Sequence, residues 1–144
     1  MAKDGNGELN SSLKQSERRR PRILLVEDDA SVRRSTQLLL QGKGFDVRAH
    51  AAADPILLTG DFSDVACLVV DYRLGEHDGM AVLQVMREHG WHGPAILVTA
   101  FSTAELRRCA QLAGFSEFLE KPMEEWALVR AVARLTGLNP DQPG

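Results

Sequence analysis

Three short apolar runs, each stopping abruptly at an acid or a hydroxyl, constrain this chain more than any other feature. Residues 23–26 read ILLV and run into Glu27, Asp28 and Asp29. Residues 67–70 read CLVV and end in Asp71, and residues 95–98 read AILV and end in Thr99. An unbroken run, rather than an alternating one, is the pattern of a parallel strand buried on both faces. Two weaker segments, 45–50 and 115–120, fit further strands. Helical patterns fill the gaps. The first helix places Val32, Ser35, Thr36, Leu39 and Lys43 on one face, with Gly42 and Gly44 as stops. A short second helix covers about residues 53–59, with Pro55 tolerated in its first turn. The third, about 80–89, carries Val82, Val85 and Met86 on one face. The fourth opens on Ser102, Thr103, Ala104 and Glu105 at capping-box spacing and ends at Gly114. The fifth, about 124–136, has Leu128, Ala131, Val132 and Leu135 along its core face. Five strand–helix repeats of about 25 residues predict an α/β fold, a doubly wound, five-stranded parallel sheet with helices on both sides.

Composition narrows the class. The 144 residues are 44% hydrophobic and 26% charged, with a net charge of −3. That balance is ordinary for a globular protein and argues against a globally basic nucleic-acid binder. No apolar run approaches the ~20 residues of a membrane span, and the start, MAKDGNGELNSS, lacks the apolar centre of a signal peptide. Cys67 and Cys109 sit in apolar runs, spaced for neither a disulfide framework nor a metal knuckle. Both read as buried, reduced thiols of a cytoplasmic protein. Residues 1–20 are polar and end in Arg18, Arg19 and Arg20, so they read as a flexible tail. The folded domain is expected over 21–137, with a short tail at 138–144.

In a parallel sheet every strand's C-terminal end lies along one edge, where ligands bind. Just past the predicted strands stand Glu27, Asp28 and Asp29, then Asp71, then Thr99, then Lys121 and Pro122. Carboxylates, a hydroxyl and an ammonium therefore converge. Two carboxylates ~4 Å apart repel by about 4 kcal/mol at an effective dielectric near 20, so one protonates or a cation joins them. All-oxygen donors suit Mg²⁺, and without paired His or Cys zinc does not fit. Metal, lysine and hydroxyl together neutralise phosphoryl oxygens, and an Asp can itself be the nucleophile.

The strings ILLVEDDASVRR, LVVDYRLGEHDGM, ILVTAFS and FLEKP, in this order and spacing, resemble the receiver domain of two-component response regulators. The likeness covers residues 22–136. It implies a flavodoxin-like fold with strand order 2-1-3-4-5 that takes a phosphoryl group from a histidine kinase or phosphotransfer protein. By the resemblance, Asp71 is the phosphoacceptor, and Glu27 and Asp28 are the acidic pair, with Asp28 the direct Mg²⁺ ligand and Glu27 acting through water. The backbone carbonyl of Arg73 is a further ligand, Thr99 the phosphoryl-binding hydroxyl, and Lys121 the bridging lysine, aimed by a cis bond to Pro122. Phe118 takes the aromatic switch position. The chain departs from the family at 72–76, YRLGE, where many members have Met-Pro. Arg73 and Phe101 are expected to flank the path of hydrolytic water and to slow autodephosphorylation. Asp29 reads as a charge at a helix N-terminus, and His77 as a surface histidine.

The expected role is a phosphorylation-controlled switch, not an enzyme beyond its self-catalysed phosphorylation and dephosphorylation. With only LNPDQPG after the fifth helix, it reads as a stand-alone receiver, chemotaxis-regulator-like. A haloacid-dehalogenase-like phosphatase is the alternative, but it needs a second Asp where this chain has Arg73. A flavodoxin-like FMN carrier would want a glycine- and hydroxyl-rich loop where three acids stand. At 100° per residue, Trp126, Val129 and Ala133 share the face of the fifth helix opposite its core stripe. That face is an expected surface for a homodimer or downstream protein through the fourth and fifth helices. Nucleic acid and membrane are not expected partners.

Overall fold

The apolar runs become the centre of the sheet. The computed structural model describes residues 20–53 and 61–138. Its elements are β1 (Arg22–Val26), α1 (Ala30–Gly42), β2 (Asp46–His50), β3 (Val65–Asp71), β4 (Arg73–Leu74), β5 (His77–Asp78), α2 (Gly79–Glu88), β6 (Ala95–Thr99), α3 (Ala104–Ala113), β7 (Glu117–Glu120) and α4 (Glu125–Thr136). Five strands pair in the order β2-β1-β3-β6-β7, all parallel. With β6 and β7 as fourth and fifth strands, this is the expected 2-1-3-4-5 order. The strands β4 and β5 form a two-residue antiparallel ribbon between Asp71 and α2, turning at Gly75 with φ +65°. Nothing in the apolar pattern predicted it. The expected helix at 53–59 and both expected tails lie largely outside the described residues.

Strand geometry sends successive side chains to opposite faces, and here both faces are dry. Leu24, Val26, Leu68, Val70, Ala95 and Leu97 enter one core with Val82, Leu83 and Met86 of α2 and Ala110 of α3. Ile23, Leu25, Cys67, Val69, Ile96 and Val98 enter the other with Leu40 of α1 and the buried side of α4. Each fully buried aliphatic side chain contributes roughly 1.5–3 kcal/mol, so continuous runs are what a sheet covered on both sides demands. On α2, Leu83 shares the buried face with Val82 and Met86, while Val85 is half-buried. Cys67 is buried, which pushes its thiol up to about 12. Cys109, expected inside, is exposed on α3.

Three helices end alike. After α1, Gly44 (φ +98°) donates its N–H to Gln41 O and Phe45 donates to Leu40 O. After α2, Gly90 (φ +88°) donates to Arg87 O and Trp91 to Met86 O. After α3, Gly114 (φ +104°) donates to Gln111 O and Phe115 to Ala110 O. This is the Schellman stop, with glycine in the left-handed position and an apolar residue after it. Phe45 and Phe115 are therefore helix-stop residues, not the strand starts expected from the sequence. Both are buried, as is Trp91. Helix α3 starts one residue later than its capping-box spacing predicts: Thr103 is the N-cap and accepts from Leu106 N.

Helix α4 overturns one expectation. Val129 and Ala133, 5% and 6% exposed, lie in the core with Leu128, Ala131 and Val132. At 100° per residue the buried arc runs about 200° from Ala131 round to Ala133. A helix seated over a twisted sheet buries more than one stripe, so the expected second stripe through Trp126, Val129 and Ala133 does not form. Trp126 lies just outside the arc, 59% exposed, with the Arg130 guanidinium 5.1 Å from its ring centroid.

Candidate functional site at the C-terminal edge of the sheet

Each polar group here is delivered by a strand end. β1 places Glu27, only 4% exposed, and the Glu27 N–H continues the sheet by donating to His50 O at 3.0 Å. The chain then turns into α1. Asp29 is the N-cap, its Oδ1 accepting from Val32 N at 3.1 Å, so its carboxylate is spent on the helix. Asp28, between them, is exposed. β3 ends at Asp71, and β7 leads into Lys121, whose N–H donates to Thr99 O at 2.8 Å. The Lys121–Pro122 peptide is cis.

Lys121 is the hub. Its Nζ donates to Glu27 Oε1 and to Asp71 Oδ2, both at 2.7 Å. The other oxygen of Asp71, Oδ1, accepts from Arg73 N at 3.0 Å, so a backbone and a side-chain donor fix the carboxylate plane. Burial raises the Glu27 carboxyl above its ordinary range, and the nearby Asp71 charge adds to this against the pull of Lys121. Burial opposes the Lys121 ammonium, but its bonds to Asp71 and Glu27 outweigh that and hold it above the usual lysine value.

Carboxylate oxygens of Glu27, Asp28 and Asp71 lie within 4.8 Å of one another. Three carboxylates against one bonded ammonium leave an excess of two negative charges, which a dication balances. The donors are hard oxygens, and the exposure of Asp28 leaves room for waters, so the set fits a divalent ion of the Mg²⁺ kind.

Thr99 is 1% exposed, and its Oγ1 accepts from Phe101 N at 3.0 Å. With that acceptance made, the hydroxyl proton is still available to an acceptor. Phe118 pairs with Leu97 across β6–β7 and packs half-buried against the α2–α3 core. Arg107 of α3 covers its ring, 4.7 Å from the centroid. Arg73 and Phe101, two residues past Asp71 and Thr99, stack on each other at 4.0 Å.

Two contributors escaped the sequence reading. Gly79 brings the start of α2 against the end of β3. A Cβ there would meet Asp71 O at 2.6 Å, and its N–H donates to Tyr72 O. The other is Arg33, whose guanidinium donates to Glu27 O at 2.9 Å. Its signal was the one-turn spacing from Asp29 to Arg33, which sends a long cationic side chain back toward the acidic turn.

The phosphatase alternative finds no support. The position where it needs a second acid holds Arg73, stacked on Phe101. Comparison with known proteins points elsewhere. The family model for the response regulator receiver domain matches residues 23–133. The transcriptional regulatory protein FixJ of Azorhizobium caulinodans is 31% identical over 120 residues, covering 83% of this chain and 57% of that protein. The transcriptional regulatory protein TdiR of Thauera aromatica is 32% identical over 117 residues, covering 81% and 52%. The chain thus spans about half the length of these curated relatives. Among solved structures, the non-phosphorylated HemR receiver domain of Leptospira biflexa aligns with a TM-score of 0.76 at 23% identity, covering 86% of this chain and 98% of that one. A CheY-like receiver domain protein of Methanospirillum hungatei aligns at 0.75 and 23%, covering 81% and 94%. These two establish the fold. No helix among the described residues is long and apolar enough to cross a membrane. From strand order, acidic edge and family match together, this chain belongs to the response regulator receiver domains of two-component systems.

Proposed function

We propose that the chain accepts one phosphoryl group on Asp71 from a histidine kinase or histidine phosphotransfer protein, with Mg²⁺ at Glu27, Asp28, Asp71 and the Arg73 carbonyl. The observation that carries this is the Lys121 ammonium, bonded to both Glu27 and Asp71 amid three converging carboxylates. An Asp71 oxygen attacks phosphorus, the donor's phosphorus–nitrogen bond breaks, and the imidazole leaves with the electron pair and takes up a proton. The metal, when bound, neutralises charge on the transferring oxygens. Lys121 exchanges its Asp71 contact for a phosphoryl oxygen, a charge-assisted bond of the stronger kind. The Thr99 hydroxyl donates to another oxygen while its own oxygen still accepts from Phe101 N.

The output follows from the same edge. Drawing Thr99 toward the phosphoryl group reopens packing beside Phe118, and the α3–β7–α4 face changes between two arrangements. A downstream protein or a second copy reads that face, with Trp126 and its stacked Arg130 as an exposed anchor. Val129 is buried in the core and is not part of that contact surface. On this reading the domain spans 21–137, works in the cytoplasm, and acts as a regulator whose phosphorylation and dephosphorylation are self-catalysed.

The test is acetyl phosphate with Mg²⁺, read by intact mass. Wild type gains one phosphoryl group, and chelator removes the gain. Asp71→Asn gains none. A full adduct on Asp71→Asn sinks the assignment. Lys121→Ala folds but loses phosphorylation-dependent partner binding or self-association, and unchanged association there rejects the lysine's role.

A further inference from the structure

We propose that Arg33 is a positioning residue for the divalent-metal site, tying the backbone of Glu27 and Asp28 to the first turn of α1. The proposal rests on the metal-assisted reading above and extends it to a residue outside the ligand set. Arg33 Nη1 donates to Glu27 O at 2.9 Å and reaches Asp28 O at 3.5 Å. The Arg33 N–H donates to Asp29 O at 2.8 Å. The guanidinium of this half-buried residue thus reaches two consecutive carbonyls of the β1–α1 turn, and its backbone anchors it to α1 by the ordinary i→i−4 bond.

The choice of partners is the argument. A guanidinium beside a cluster of acids would ordinarily fork onto a carboxylate. Here its bonds run to carbonyl oxygens, so the Glu27 and Asp28 side chains stay available to a metal. Removing the donors leaves the Glu27 carbonyl unpaired in a part-buried place and frees the turn to move. A small octahedral cation tolerates little error in ligand placement, and partners that orient ligands typically govern affinity by 10–100-fold.

The full chain is titrated with MgCl₂ by calorimetry as wild type, Arg33→Ala, Arg33→Lys and Arg34→Ala. The last removes an equal charge from an exposed neighbour on the same helix. Arg33→Ala should weaken Mg²⁺ about tenfold, Arg33→Lys about threefold, and Arg34→Ala less than about twofold. The rate of acetyl phosphate labelling at saturating Mg²⁺ should stay within about twofold of wild type, because the defect is in holding the metal. Should Arg33→Ala fail to fold by circular dichroism, Arg33→Gln, with an uncharged amide donor, is expected to match Arg33→Lys. Unchanged Mg²⁺ affinity at Arg33, or an equal loss in Arg34→Ala, overturns the proposal. Wild-type protein that binds no Mg²⁺ sinks the metal-assisted reading and this proposal with it. Wild-type binding with an unaffected Arg33 variant sinks this proposal alone.

Discussion

At the N-terminal edge of the sheet, α1, α2 and α3 each stop with a left-handed glycine followed by a buried aromatic: Gly44-Phe45, Gly90-Trp91 and Gly114-Phe115. Two arginines there are held by several partners each. Arg87 gives its guanidinium to the carbonyls of Trp91, Gly93 and Gly114, and Arg22 pairs with Asp46 and Asp64. At the C-terminal edge nothing repeats. One acid caps a helix, three converge, one ammonium bridges two of them, and one buried hydroxyl accepts from Phe101 N. The first edge uses a repeated device and ties Arg22 and Arg87 to partners. The second uses each residue once and keeps an excess of negative charge. A fold that can close one end this thoroughly can carry an electrostatically unfavourable site at the other.

The largest effect should come from breaking the quiet end. Trp91 is buried, its Nε1 donates to Val65 O at 2.8 Å, and Arg87 stacks on its ring. Trp91→Ala should cost about 3–5 kcal/mol, read by urea unfolding, while the folded fraction keeps its Mg²⁺ affinity. A parallel loss of Mg²⁺ affinity would mean the two edges are not separable. The opposite change is at Asp28. Asp28→Asn relieves like-charge repulsion, so the metal-free protein should gain on the order of 1 kcal/mol, a rise of about 2–4 °C in melting temperature. The Mg²⁺-induced stabilisation should vanish in the same variant. A metal-free variant no more stable than wild type would mean the acidic excess is already relieved without a metal.

What the sequence made legible divides along the same line. The continuous runs at 23–26, 67–70 and 95–98 carry burial on both faces, a pattern written in the residue order itself. The acids, Thr99 and Lys121 were locatable because a parallel sheet sends every strand's end to one edge. Phe45 and Phe115 were misplaced because an aromatic beside a strand reads as strand until the preceding glycine's φ is known. Val129 and Ala133 were put outside because a helical wheel gives direction and not the width of the surface beneath it. Arg33 and Gly79 were missed for a shared reason. Both act on backbone atoms, of Glu27 and Asp71, and side-chain patterns carry no record of which carbonyl will lie within reach.

A smaller effect concerns the stacked pair Arg73 and Phe101. Arg73 opens β4, just past β3, and Phe101 follows the adjacent strand β6, and their stack joins the two segments at 4.0 Å. Both side chains are exposed, so the stack contributes on the order of 0.5–1 kcal/mol. If that energy is lost when water enters, Arg73→Ala should speed loss of the phosphoryl group about two- to fivefold. The decay is followed by intact mass after removing the donor. Arg73→Lys, which keeps the charge but not the planar stack, should fall between. A decay unchanged in both would reduce the stack to surface ornament.

The smallest expected effect tests whether the two edges differ in their response to acid. Burial, and then the charge of Arg48, holds His50 below its ordinary value of 6.5. The sign follows from proton counting. Below pH 6.5 the unfolded chain's imidazole takes a proton before the native one does, so the unfolded state binds more protons and stability falls as pH drops. The contribution is present above the unfolded value and is lost as pH falls toward the native one. His50 is half-buried, so the slope should be well under the ~1.4 kcal/mol per pH unit of a whole proton. In His50→Gln that increment disappears, and stability measured by urea between pH 7 and pH 5 should fall less than in wild type. If His50→Gln keeps the wild-type slope, the acid response belongs to the molecule's net charge. If it flattens the slope, the response belongs to the edge where β2 hands its last carbonyl to Glu27.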